Sequence, residues 1–210
     1  MRIRQYTALI LALITIPLHA DLIVPTLETE RCILRPLSLD DAPALFSLAS
    51  DPVIARYTTM FGQALHQTHQ ETRAFIQQCL TMQQKGYGIN WVIIAKENNT
   101  LIGLIHIFSY STVHKKAELG FCLSPEYWGC GLMTEVIKTI IFFMFTHLHL
   151  MRLQATADPE NVGSMQVLTK CGMQHEGLLH NYYIVHGTCC DRNMYAITHE
   201  GFLRYWNMQE

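Results

Sequence analysis

Two glycines one residue apart, Gly129 and Gly131, follow an apolar run and stand directly before a long stretch of apolar residues with helical spacing. Glycine allows a tight turn and a close approach to the backbone. The first N–H groups of a helix lack internal acceptors and carry the positive end of its dipole. A strand, a G-x-G turn and a helix in that order therefore form a cradle for a pyrophosphate, although the same pattern also serves as a plain tight turn. No Gly-Lys-Ser/Thr follows, which excludes a Walker-type loop.

Other reactive residues are less organised. The cysteines, Cys32, Cys79, Cys122, Cys130, Cys171, Cys189 and Cys190, are odd in number and lack C-x-x-C pairing, so most read as small core residues and the set does not read as a zinc site. Vicinal Cys189 and Cys190 would face opposite sides of a strand. His66 and His69, and His147 and His149, show only scattered short spacings, so no metal is expected.

The elements that must position the loop follow from the apolar pattern. The chain reads as alternating strands and helices, the mark of an α/β or α+β domain. A first strand covers residues 31–37, and Ser38 with Asp41 starts a helix through Ala49 that Asp51-Pro52 ends. Thr68 and Glu71 are spaced as a capping box, and Phe75, Ile76, Cys79, Leu80 and Met82 give the next helix its apolar stripe. Gly86 and Gly88 close that helix. Residues 89–96 and 101–110 form a hairpin about Asn98-Asn99. Residues 117–123 make a strand stopped by Ser124-Pro125, residues 131–147 a buried helix, and residues 150–157 another strand. A helix over 161–171 ends at Gly172, and a second hairpin, turning at His186-Gly187, closes the domain.

Charge is nearly balanced, with 15 basic against 17 acidic residues and no basic run, which argues against a nucleic-acid partner. Arg2 and Arg4, an apolar run over 8–16, Pro17 and the Leu18-His19-Ala20 stretch have the layout of a signal peptide. That run is short of the ~20 apolar residues of a membrane helix. Residues 1–24 are therefore expected to be a signal-like or anchor-like extension, or a start-site artefact. The catalytic domain is expected over 25–200 and a tail over 201–210. A membrane partner enters only if residues 1–20 act as an anchor.

The residues Ala117-Glu118-Leu119-Gly120-Phe121 and Pro125-Glu126-Tyr127-Trp128-Gly129-Cys130-Gly131-Leu132-Met133-Thr134-Glu135 resemble the acetyl-CoA loop of the GNAT superfamily acetyltransferases. The likeness is closest to the branch that contains the ribosomal-protein N-terminal acetyltransferases. The same branch is matched by Thr29-Glu30-Arg31-Cys32-Ile33-Leu34-Arg35-Pro36, Ile102-Gly103-Leu104-Ile105, Asn161 with Ser164, Lys170-Cys171-Gly172-Met173 and Glu176-Gly177. The resemblance implies a mixed, twisted sheet of about seven strands with about four helices, split between the strands at 117–123 and 150–157 to admit the pantetheine. It also implies an acetyl-CoA-dependent N-acetyltransferase acting on a primary amine, first a protein or peptide N-terminus and alternatively a small molecule. An acetyl-CoA requirement and an odd thiol count favour the cytoplasm over export.

Laid onto this chain, the resemblance implies that main-chain groups of Phe121, Cys122 and Leu123 pair with the pantetheine as an added strand. Gly129, Cys130, Gly131, Leu132, Met133 and Thr134 would hold the pyrophosphate, a backbone N–H near Leu123 would polarise the thioester, and Asn161 would hydrogen-bond the pantetheine or reacting groups. An α-amino group has a pKa of about 7.7–8.0 and a lysine about 10.4, so the bound amine must lose a proton before attack. Glu118, on the strand entering the loop, is the candidate base through a water, or else a plain structural carboxylate. Ser164 is the candidate donor to the leaving sulfur, or a helix serine bonded to its own backbone. Two departures stand out. Leu168 falls where many relatives place a tyrosine acid, and Cys130 where Lys, Arg or Gln is common. Competing expectations are a catalytically silent CoA-binding module and an exported protein that uses the fold otherwise.

Overall fold

A computed structural model describes residues 24–57, 60–62, 64–185 and 187–208. The signal-like segment therefore lies outside the described residues, except for Val24, as does His186 of the last turn. No helix among the described residues is long and apolar enough to cross a membrane.

A mixed sheet of eight strands forms the frame: β1 (Leu27–Glu28), β2 (Cys32–Pro36), β3 (Ile89–Ala95), β4 (Thr100–Ser111), β5 (Lys116–Leu123), β6 (Arg152–Ala157), β7 (Gln174–Val185) and β8 (Thr188–Thr198). Their spatial order is β1-β2-β3-β4-β5-β6-β8-β7. The helices are α1 (Ala42–Ala49), α2 (Pro52–Ala55), α3 (His69–Gln84), α4 (Leu132–Thr146), α5 (Val162–Lys170) and α6 (His199–Asn207). The strand expected from sequence as the first is β2, preceded by the short β1. The two helices beyond the expected four are α2, started by the Asp51 side chain on the amides of Val53 and Ile54, and α6. The stretch read as a tail thus carries a helix, and Phe202 within it is buried and stacks on Phe145 with ring centroids 4.9 Å apart.

The sheet is covered on both faces because successive strand side chains point to opposite sides. Trp91 and Ile93 of β3 and Ile105 of β4 join α4 in one core, while Val92, Ile94 and Leu104 join α1 and α3 in the other. The expected capping box of Thr68 with Glu71 forms, whereas Ser38, expected as the N-cap, opens a short 3-10 turn in which its amide donates to Asp41 Oδ2 at 2.9 Å, and Asp41 is the N-cap of α1. The stripe on α3 is narrower than expected. Ile76 and Cys79 are buried, but Met82 is 45 % exposed, because six residues beyond Ile76 is about 240° around the helix.

One feature of the sheet decides where a ligand fits. β5 and β6 are its parallel pair, and they pair only at Lys116 with Arg152, Ala117 with Leu153 and Glu118 with Gln154. Beyond Glu118 the two strands part, which leaves the rest of β5 without a partner on that side. This is the split that the resemblance implied.

Candidate active site

Helix α4 begins where the two glycines set it. Gly129 and Gly131 lie at φ 74° and 82°, the left-handed region, and Gly131 is the N-cap of α4. A side chain at either position would be strained. The opening amides of α4, those of Leu132, Met133 and Thr134, have no acceptor within the helix. The indole N–H of Trp128 donates to the Leu123 carbonyl at 2.7 Å, closing the loop onto the end of β5.

The larger cavity, about 430 Å³, opens at this point between the end of β5, the start of α4 and α5. Phe121, Cys122, Leu123, Gly129, Gly131, Leu132, Met133, Thr134, Asn161 and Ser164 all line it, so one wall gathers nearly all the candidate residues. Its volume suits a small-molecule or cofactor site. Cys130 does not line it. The Cys130 thiol turns onto the Tyr127 carbonyl at 2.9 Å, and the Cys130 carbonyl receives Arg31 Nη1 at 3.0 Å. Cys122 contributes backbone only, since its side chain is buried in the α1/α3 core and burial pushes its thiol up to about 12.

Asn161 is the N-cap of α5, and its Oδ1 accepts from the Ser164 amide at 3.0 Å. The two candidates are thereby held side by side, and Asn161 Nδ2 has no hydrogen-bond partner among the described residues. Leu168, further along α5, is wholly buried in the core and cannot reach a sulfur in the cavity.

A smaller cavity of about 260 Å³ is lined by Tyr57, Met60, His106, Phe108, Gly120, Thr156, Asp158, Tyr183 and Arg192, among others. Tyr57 lines both cavities and joins them. Gly120 forms part of its floor, where an added Cβ would come within 3.1 Å of Met60 Cε. Of the closing-hairpin residues, Tyr183 lines this space, while His180 is exposed and paired with Asp191. Arg192 is buried, donates to Asp158 Oδ2 at 2.9 Å and lies over the Tyr183 ring. His106 bonds Asn90, and burial lowers its pKa to about 4, which keeps it neutral near pH 7. None of Tyr57, His106, Asp158 or Arg192 was singled out for this site from sequence.

Glu118 sits where β5 and β6 part, 5 % exposed. Its Oε2 accepts from Gln154 Nε2 at 3.3 Å, whereas Oε1 is buried and has no hydrogen-bond partner among the described residues. Burial, partly offset by hydrogen bonds from Gln154 and Thr156 and by the charge of Lys116, raises its pKa above the ordinary Glu value. Its chain neighbours Leu119 and Gly120 and its cross-strand partner Phe108 line the smaller cavity, and its charge is felt by Tyr183 there, so Glu118 borders that cavity.

Comparison with known proteins agrees with this geometry. Residues 31–174 match the family described as the acetyltransferase (GNAT) domain. The chain is 34% identical over 173 residues to the uncharacterized N-acetyltransferase YoaA of Bacillus subtilis (strain 168), covering 82% of this chain and 96% of that protein. It is 26% identical over 164 residues to spermidine N(1)-acetyltransferase of Escherichia coli (strain K12), covering 72% of this chain and 77% of that one. Its fold superposes with TM-score 0.75 on RimL, the ribosomal L7/L12 alpha-N-protein acetyltransferase in complex with coenzyme A, at 20% identity over 83% of this chain and 98% of that one. The chain belongs to the GNAT acetyltransferases and is an acetyl-CoA-dependent N-acetyltransferase.

Proposed function

We propose that the acceptor is the α-amino group of a protein or peptide and that Glu118, through a water, is the base that deprotonates it. The observation that carries this reading is the buried, half-unpartnered Glu118 carboxyl beside the smaller cavity. A base works best when its pKa approaches that of the group it deprotonates. A raised carboxyl pKa narrows the gap to an α-ammonium at about 7.7–8.0 far more usefully than to a lysine or polyamine ammonium near 10.4.

In this reading the larger cavity takes the coenzyme. The unpaired edge beyond Glu118 lets Phe121, Cys122 and Leu123 pair with the pantetheine. The amides of Gly129, Cys130, Gly131, Leu132, Met133 and Thr134 hold the pyrophosphate, and a backbone N–H near Leu123 steadies the oxyanion. Asn161 orients the pantetheine. The amine nitrogen attacks the acetyl carbonyl, its proton passes to Glu118, and the carbon–sulfur bond breaks as Ser164 donates a hydrogen bond to the departing thiolate. Ser164→Ala should lower kcat roughly tenfold, the worth of one hydrogen bond to a charged group, with KM for acetyl-CoA unchanged. A kcat equal to wild type would remove Ser164 from the mechanism.

A small-molecule amine is the second reading, favoured by the similarity to a spermidine acetyltransferase. Against it, Asp158 is already paired with Arg192, so among the described residues the smaller cavity offers no row of free carboxylates for a second ammonium. The test is release of CoA thiol with free-N-terminal peptides, with the same peptides Nα-blocked but bearing lysine, and with spermidine. The free-N-terminal peptides should exceed the others in kcat/KM by roughly tenfold or more, the discrimination expected of one well-matched polar contact. Turnover of spermidine alone would overturn the peptide reading.

A further inference from the structure

The segment Thr29-Glu30-Arg31-Cys32, matched to the family from sequence but given no role, reaches the glycine loop from the β1/β2 edge of the sheet. Thr29 fixes the turn, its hydroxyl accepting from the Cys32 amide at 2.9 Å. From there Arg31 makes three contacts. Its amide donates to Glu135 Oε1 at 2.9 Å, its Nε to Glu135 Oε2 at 2.8 Å, and its Nη1 to the Cys130 carbonyl at 3.0 Å. A Cβ on Gly131 would lie 3.8 Å from Arg31 Nη2, so the guanidinium rests against the turn between the two glycines.

Glu135 lies in the first turn of α4. A carboxylate there suits the helix dipole, but it also repels an anion docked on the same helix end. Burial works against the Glu135 charge, yet hydrogen bonds from Thr29 and Arg31 outweigh it and hold the pKa below the ordinary Glu value. The carboxylate is thus ionised when the coenzyme arrives, and Arg31 is the cation that neutralises it. A half-exposed ion pair, with side chains 44 and 19 % exposed, contributes little to folding. Its geometry suits a task at the loop better than a task in stability.

We propose that Arg31 is a positioning residue for the coenzyme, gripping the Cys130 carbonyl to fix the glycine turn and masking Glu135 from the pyrophosphate. The proposal rests on the reading that residues 129–134 hold the pyrophosphate.

The test compares acetyl-CoA with acetyl-pantetheine, which lacks the pyrophosphate and nucleotide, in the wild type, Arg31→Met, Arg31→Lys and Arg31→Met/Glu135→Gln. Arg31→Met should raise KM for acetyl-CoA roughly tenfold, the loss of one charge-assisted contact plus an unmasked carboxylate, with kcat within about twofold and KM for acetyl-pantetheine unchanged. Removing Glu135 as well should recover most of the loss. Arg31→Lys keeps the charge but not the reach to Cys130, so its KM should fall between wild type and Arg31→Met, which keeps the test open if Arg31→Met does not fold. An unchanged KM for acetyl-CoA in Arg31→Met and Arg31→Lys, equal rises for both donors, or a double variant no better than the single would overturn the role of Arg31. A wild type that uses both donors equally well would instead overturn the pyrophosphate reading.

Discussion

Glu118→Gln is expected to lower kcat/KM by about 10²-fold or more above the pKa of Glu118, the usual contribution of a positioned base. The replacement keeps the shape and the contact with Gln154 but removes the proton acceptor, so binding of acetyl-CoA should be retained. Because burial raises the Glu118 pKa, wild-type activity should climb as pH rises through that value, and the variant should lack that limb. The difference between the two should therefore shrink as pH falls. Measuring kcat/KM from acid to alkaline pH decides it, since parallel profiles would leave Glu118 a structural carboxylate.

The same shift has a stability consequence of definite sign. A carboxyl whose folded pKa is raised binds its proton more tightly in the native state, so its contribution is fully present below the unfolded value of about 4.3 and is lost as pH rises through the folded value. Glu118→Gln should consequently melt higher than wild type above that window and near it below. Carboxyls held at a cost to stability are concentrated at functional sites.

Trp91→Ala should cost about 3–5 kcal/mol, the largest single loss of stability expected in this fold. Trp91 is fully buried in the centre of β3, meets Phe143 of α4 edge-on with centroids 5.8 Å apart, and donates from Nε1 to the Pro25 carbonyl at 2.8 Å. Truncation opens a cavity between the sheet and α4 and orphans the Pro25 carbonyl. At about 2–4 °C per kcal/mol for a chain of this size, the melting temperature should drop by roughly 10 °C. Trp91→Phe fills most of the space and should recover the greater part of the loss. A drop under about 1 kcal/mol for the alanine variant would mean that α4 does not lean on this residue.

Some of this protein was legible because the physics is local. A capping box needs Thr68 and Glu71 three residues apart, and it forms where that spacing places it. The glycine turn before α4 is equally local, and with the family resemblance it named nearly all the residues that line one wall of the larger cavity. Even the absence of a tyrosine acid at Leu168 was visible, and burial of that side chain explains why nothing there substitutes for it.

What tertiary structure alone decided involves residues far apart in the chain, where spacing imposes no constraint. Arg31 meets Glu135 across 104 residues and Arg192 meets Asp158 across 34, and neither pair has a periodicity to betray it. Tyr57 joins the two cavities, and the tail expected past residue 200 carries a helix that docks Phe202 on Phe145, because those surfaces exist only once the sheet is assembled. Glu118 could be named from its place on β5. That one of its oxygens is buried without a partner among the described residues follows from how β5 and β6 part, and desolvation is a property of the neighbours and not of the residue.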